Sequence, residues 1–169
     1  SPQIILAGAC GGLREVGDVP RIGRVIDEHG HSWSTDDASD GAVTLIGVDR
    51  VVSSPGDKQR LAQTTGASIV DMESHAFIAA CERAGLRWAI VRGVSDTPDE
   101  TLPGEVLNWI DAAGNTRNGR AAWDLVRKPR LIGHIVPVIR RSNRVLPQVG
   151  RRVLELVVKG GDQGRGTRD

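Results

Sequence analysis

The chain has 169 residues, 39% apolar and 25% charged, with a formal net charge of +1, which suits one globular domain with a real core. No apolar run approaches the ~18 residues of a membrane span, and no basic leader precedes the first apolar stretch, so a cytoplasmic protein is expected. Cys10 and Cys81 show no metal or redox spacing and read as two reduced thiols. The charge is unevenly placed: residues 1–116 hold 9 Lys/Arg against 17 Asp/Glu, and residues 117–169 hold 13 against 4.

Residues 3–6 read as an apolar strand. Gly8-Ala9-Cys10-Gly11-Gly12-Leu13 then reads as a glycine turn. Glycines permit φ > 0 and close backbone approach, and N–H groups in such a turn can hold an anion. The spacing is not G-x-G-x-x-G, which rejects a dinucleotide site. Residues 21–27 read as a strand, and residues 28–40 are polar and turn-rich. His29 and His31 lack a third ligand and read as surface loop residues, with no metal expected. Residues 43–48 form a buried strand, with residues 51–53 continuing it or lying beside it. Ser54-Pro55-Gly56-Asp57 starts a helix, with a Ser N-cap, Pro at N1 and an acid at N3. That helix should end at Gly66, with Lys58 and Arg60 facing water.

Residues 68–70 are a short strand, and residues 73–84 have helical spacing with Met72, Ala76, Phe77, Ala80 and Ala84 on one face. Gly85 suits the C′ position. Residues 89–94 form an apolar strand broken only by Arg92, which needs a partner, most simply Glu73. Glu73 and Asp96 each sit just past a strand, where open α/β sheets bind ligands. Helical spacing returns over residues 102–111, 117–127, 130–140 and 144–158, punctuated by Pro129, Pro137 and Pro147. In the last of these Val145, Leu146, Val149, Val153, Leu156 and Val157 make a stripe. Residues 1–112 read as an α/β core, residues 113–159 as a helical region of the same domain, and residues 160–169 as a disordered tail. Aromatics are not interleaved with the basic residues, so nucleic acid is not expected as a partner.

Asp71-Met72-Glu73-Ser74 followed by Val91-Arg92-Gly93-Val94-Ser95-Asp96 resembles the nucleoside phosphorylase and nucleosidase superfamily. The glycine run, with Val16-Gly17-Asp18 after it, is similar to the same family. The form Asp-Met-Glu-Ser, with Ser95-Asp96-Thr97-Pro98-Asp99-Glu100 and a basic C-terminal region, looks most like its hopanoid-associated phosphorylase branch. The resemblance implies a three-layer α/β/α fold with a mixed central sheet. The family carries earlier strands, a first phosphate-binding turn and a phosphate-binding arginine ahead of this region. The fold is therefore expected to lack its first strands, and the chain alone to be nearly inactive as a phosphorylase.

The implied activity is cleavage of the N-glycosidic bond of a purine nucleoside, with phosphate or water as nucleophile. Such a reaction leaves an oxocarbenium-like sugar and an anionic base, so it needs an acid at the base and a grip on the sugar. The resemblance assigns Asp96 as the acid facing the purine N7. Its pKa would be raised by burial against Phe77 or Trp88, or by repulsion from Asp99 and Glu100. It assigns Glu73 to the ribose hydroxyls and Met72 to packing on the ribose, although Met72 read alone is equally a core residue. Ser95 would hold Asp96 or the base, with Arg92 in support. Gly8, Ala9 and Gly11 would form the phosphate or nucleophile turn. The family often has Ser or Thr where Ala9 stands, which leaves the nucleophile open. No metal or redox cofactor is implied, only phosphate as a co-substrate. The implied partners are a small-molecule nucleoside and further copies in a homo-oligomer. The branch adds a lipid-linked adenosine such as adenosylhopane, and the basic striped helix adds a peripheral contact with the inner membrane. A competing reading is a catalytically inactive nucleoside-binding or partner subunit that keeps the pocket and lacks the phosphate half.

Overall fold

The computed structural model describes residues 3–102 and 130–163. The expected helices at residues 102–111 and 117–127 lie outside these, apart from Leu102. Six described strands form one mixed sheet: β1 (Gln3–Gly12), β2 (Ile22–Asp27), β3 (Ser32–Ser34), β4 (Val43–Gly47), β5 (Ile69–Asp71) and β6 (Arg87–Asp96). Their order is β3-β2-β4-β5-β1-β6. β2, β4 and β5 run parallel, as do β1 and β6, while β1 meets β5 antiparallel. The architecture is α/β, with helices packed on the sheet.

Alternate residues of each strand address opposite faces. Leu45, Ile69, Cys10, Ile90 and Val94 join Ile78 of helix α2 (Ser74–Arg83) in one core. Ile46 and Val70 join Leu61 and Ala62 of helix α1 (Pro55–Thr65) in a second core, so α1 and α2 cover opposite faces. α1 begins as its sequence dictates: Ser54 Oγ accepts from the Asp57 N–H at 3.1 Å, and Gly66 closes the helix at φ 73°. Gly85 follows α2 at φ 64°.

The prolines do not divide the C-terminal region. One helix, α3, runs from Arg130 to Gln163 through Pro137 and Pro147, and so includes residues 160–163 of the expected tail. Each proline removes one helical hydrogen bond, but contacts with the sheet hold the helix on both sides of Pro147. Val145 and Val149 are buried over Gly93 of β6. Arg144 and Gln148 reach Asp18 at 2.7 and 3.0 Å, Arg152 reaches Asp37 at 3.0 Å, and Arg141 reaches Glu100 at 2.5 Å. The uneven charge is thus partly an internal matter: basic α3 binds carboxylates of the acidic segment. The hydrogen bonds from Gln148 and Arg144 hold the Asp18 carboxyl below its usual range. Within the stripe Val145 and Val149 are buried, Val153 and Leu156 half-buried, and Leu146 and Val157 exposed; Leu154 and Val158, outside it, are exposed too.

Gly93 is where α3 comes closest to the sheet. A Cβ there would fall 2.9 Å from a methyl carbon of both Val145 and Val149. Gly93→Ala should therefore cost about 1–3 kcal/mol, the usual range for overpacking. Urea denaturation would measure it, and an unchanged midpoint would mean that α3 does not rest on β6.

Candidate active site

The carboxyl ends of β1, β5 and β6 converge, since Gly11 pairs with Val70 on one side and Asp96 on the other. An open cleft of about 210 Å³ lies there. Ala9, Cys10 and Gly11 of β1 line it, with Asp71, Met72 and Glu73 after β5, Ser95 and Asp96 of β6, and Arg50, Val51, Val52 and Leu102. It is smaller than the roughly 300–1,000 Å³ of most small-molecule sites.

Two buried ion pairs support the cleft from opposite faces of the sheet. On the α2 face, Arg92 Nε donates to Asp71 Oδ2 at 2.7 Å and Arg92 Nη2 donates to Glu73 Oε2 at 2.9 Å. Asp71 is fully engaged, because it also accepts from the Ser74 N–H at 3.1 Å and from Ser74 Oγ. It therefore caps α2 in place of Glu73, which occupies the N-cap position but makes no side-chain capping bond. Glu73 is left with its side chain 61% exposed and one oxygen fixed by Arg92. A carboxylate aimed but not consumed can accept hydrogen bonds from a ligand.

On the α1 face, Asp96 is 1% exposed and bonded to Lys58, which is 0% exposed. Lys58 Nζ also donates to the carbonyls of Thr97 at 2.7 Å and Glu100 at 3.0 Å, so all three ammonium hydrogens have acceptors. Ser95 Oγ lies 3.0 Å from Asp96 Oδ1 and 3.1 Å from the Cys10 carbonyl. Burial, the largest influence, and the nearby Glu100 charge raise the Asp96 pKa; Lys58 and Ser95 pull it down. The net direction is upward, because desolvation penalises the charged form more than these partners favour it. Burial also pushes the Cys10 thiol far up, so it is no nucleophile near neutrality.

The register explains how Asp96 reaches that face. Cys10 pairs with Val94, but Gly11 pairs with Asp96, so Ser95 is one extra residue in β6. A bulge of this kind re-aims the side chains beyond it. A Cβ on Gly11 would lie 3.1 Å from a Val70 methyl carbon and in ordinary contact, 3.5 Å, with both Asp96 oxygens, so the close approach that glycine permits here is to Val70.

Residues 41–127, just over half of the chain, match the phosphorylase superfamily. The chain belongs to that superfamily. Curated proteins offer no match. Among solved structures, the 5′-methylthioadenosine nucleosidase of Arabidopsis thaliana is 14% identical, with a TM-score of 0.56 over 98% of this chain and 63% of its own. A futalosine hydrolase mutant of Helicobacter pylori is 17% identical, with a TM-score of 0.50 over 59% of each chain. The 5′-methylthioadenosine/S-adenosylhomocysteine nucleosidase of Helicobacter pylori is 17% identical, with a TM-score of 0.49 over 57% of this chain and 56% of its own. The chain thus spans less than two thirds of the length of these proteins.

Several expectations for this superfamily member need correction. The run from Gly8 to Gly12 is no turn: it continues β1, and none of its glycines has a positive φ. Gly8 instead makes room for Arg92, whose Nη1 lies 2.7 Å from where a Cβ would stand. Ala9 and Gly11 do line the cleft. Residues 51–53 are irregular, and the polar stretch before β4 contains β3. Phe77 and Trp88 pack against the α2-side core, on the opposite face from Asp96, so they are not what buries it. Met72 is 44% exposed at the cleft and is not core.

Lys58 is buried, not solvated, whereas Arg60 is exposed beside Asp57. The signal for Lys58 was its place three and four residues before Leu61 and Ala62, on the inward stripe of α1. Asp71 was legible as an acid ending a strand opposite a lone strand arginine. Arg50 and Arg141 carried no such signal.

The Arg92–Asp71 pair is nearly dry, with side-chain exposures of 4% and 1%. Arg92→Met should destabilise the fold by roughly 3–5 kcal/mol, because it leaves a buried carboxylate uncompensated. Adding Asp71→Asn should recover part of that loss. Urea denaturation of the two single variants and the double variant checks this; strictly additive losses would show that the charges are not coupled.

Proposed function

We propose that the chain breaks the N-glycosidic bond of a purine nucleoside, with water or phosphate as nucleophile. The observation that carries this reading is the pairing of two unlike carboxyl groups on one cleft: Asp96 buried with raised proton affinity, Glu73 exposed and oriented by Arg92. Asp96 gives its proton to the base as the C–N bonding pair leaves with it. Glu73 accepts from the ribose hydroxyls and holds the sugar while the nucleophile reaches the anomeric carbon. Met72 lies beside Glu73 at the cleft as an apolar wall for the sugar. Superfamily membership and the nucleosidase names of its structural neighbours support this reading.

Chromatography of released purine, with and without phosphate, tests it. Asp96→Asn should slow release by about 10²–10⁴-fold, as expected for loss of a general acid. Near wild-type release would contradict the assignment. Glu73→Gln should impair ribonucleosides more than 2′-deoxyribonucleosides, because a charge-assisted bond worth roughly 1.5–3 kcal/mol is weakened. Equal losses would reduce Glu73 to a structural partner of Arg92.

The finer reading is a lipid-linked adenosine met at an anionic membrane surface. What favours it is the exposed part of α3, where Leu154, Val157 and Val158 lie near exposed Arg151 and Lys159. No described helix is long and apolar enough to cross a membrane, so the contact would be peripheral. Basic amphipathic helices gain apolar burial and about 1 kcal/mol per Lys or Arg at an anionic surface. The chain should sediment with anionic vesicles at low salt, and Leu154→Asp with Val158→Asp should abolish this. Absence of sedimentation at low salt would remove the membrane part of the reading.

A further inference from the structure

Lys58 is a full positive charge with no exposed surface, on a helix whose neighbouring inward residues are Leu61 and Ala62. A charge is costly to bury, and a lysine used only to bind loop carbonyls could be replaced by neutral donors. Its third hydrogen bond goes to Asp96, the cleft carboxylate that the bulge turns toward α1. The other two hold the carbonyls of Thr97 and Glu100 in the loop that follows β6. We propose that Lys58 is the counter-charge of the acid: it fixes the Asp96 carboxyl group, sets its proton affinity, and stabilises the carboxylate left after the proton passes to the departing base. Lys58 is a positioning residue that acts through Asp96, and this inference rests on the functional reading above.

The electrostatics agree. Burial raises the proton affinity of Asp96, and Lys58 is the largest influence in the opposite direction. Before transfer the pair is a neutral carboxylic acid beside an ammonium; afterwards it is an ion pair, and the proton is on the base. Several elements enter this balance, and Arg50 and Glu73 line the same cleft. α1 contributes Lys58, β6 contributes Ser95, and the following loop contributes Glu100. From β1, Cys10 lines the same cleft, with Asp71 and Arg92 acting on its thiol from the far face. From α3, Arg141 binds Glu100 at 2.5 Å and the Ser95 carbonyl at 3.3 Å, which tempers the Glu100 charge.

The chain has three lysines, Lys58, Lys128 and Lys159, so ¹⁵N-lysine labelling gives a readable spectrum, and loss of one signal in Lys58→Arg assigns it. In the unliganded full chain the Lys58 ammonium signal should shift in one step, with its midpoint above the ordinary carboxylate range. Asp96→Asn should abolish that step. No step, or a step unchanged in Asp96→Asn, would overturn the proposal, and neither outcome depends on turnover.

The pH profile of purine release gives the second readout. Removing Lys58 removes a downward influence on the Asp96 pKa. In Lys58→Met the alkaline limb should therefore move up by about one unit or more. The maximal rate should fall about ten-fold or more, because the proton is held too tightly. Lys58→Arg should return the limb toward its original position. A lower rate with the limb unmoved in both variants would mean that Lys58 only staples the loop. Failure of the wild-type chain to release any purine would count against the functional reading, and the lysine titration would still decide the role of Lys58.

Discussion

The extra residue in β6, Ser95, decides which face of the sheet Asp96 addresses. With an unbroken register Asp96 would pair with Gly12 and point toward α2, where Arg92 and Asp71 already form a pair. The shift after Cys10 pairs it with Gly11 and turns it toward α1. There it meets Lys58, and through Lys58 the Glu100 carbonyl in the loop that follows β6. Arg141 then ties Glu100 to α3. A single step in strand register thus links Asp96, the first helix, the loop beyond the strand and the C-terminal helix.

The two ion pairs treat their carboxylates differently, and the difference follows from burial. Asp71 is engaged by Arg92 and Ser74 and serves structure; its neighbour Glu73 keeps an open side toward solvent. Asp96 is almost wholly buried, so its charge depends on the one cation within bonding distance among the described residues. An exposed carboxylate stays ionised and accepts hydrogen bonds. A buried one holds a proton more readily, and a counter-charge lets it release that proton. The cleft therefore sets two similar carboxyl groups in unlike settings, Glu73 open to solvent and Asp96 buried beside Lys58.

Much of this was legible in the sequence. The Ser54 cap, Pro55 and Gly66 marked α1, and Gly85 marked the end of α2, because capping chemistry is local. The strand beginning in the run before Ala9 was found, but its length was not. Glycine signals turns from sequence, whereas Gly8, Gly11 and Gly12 here relieve contacts with Arg92, Val70 and the backbone across the sheet. The C-terminal helix was divided at its prolines because sequence does not show what docking on Gly93 supplies. The motif singled out Asp96 and Glu73, and both line the cleft. Lys58 was not singled out, since a lysine on a helix is usually solvated and only its register with Leu61 hinted otherwise. The acidic and basic halves suggested an outside partner; what they did not show is that three of the arginines bind Asp18, Asp37 and Glu100 within the chain.

The central claim is that Glu73 and Asp96 hold opposite ends of one nucleoside. A crystal structure of the chain soaked with adenosine tests it most directly. The account predicts the ribose hydroxyls on Glu73 and the N7 edge of the adenine within hydrogen-bond distance of Asp96. Adenosine bound with its sugar away from Glu73, or bound outside the cleft between β5 and β6, would contradict it.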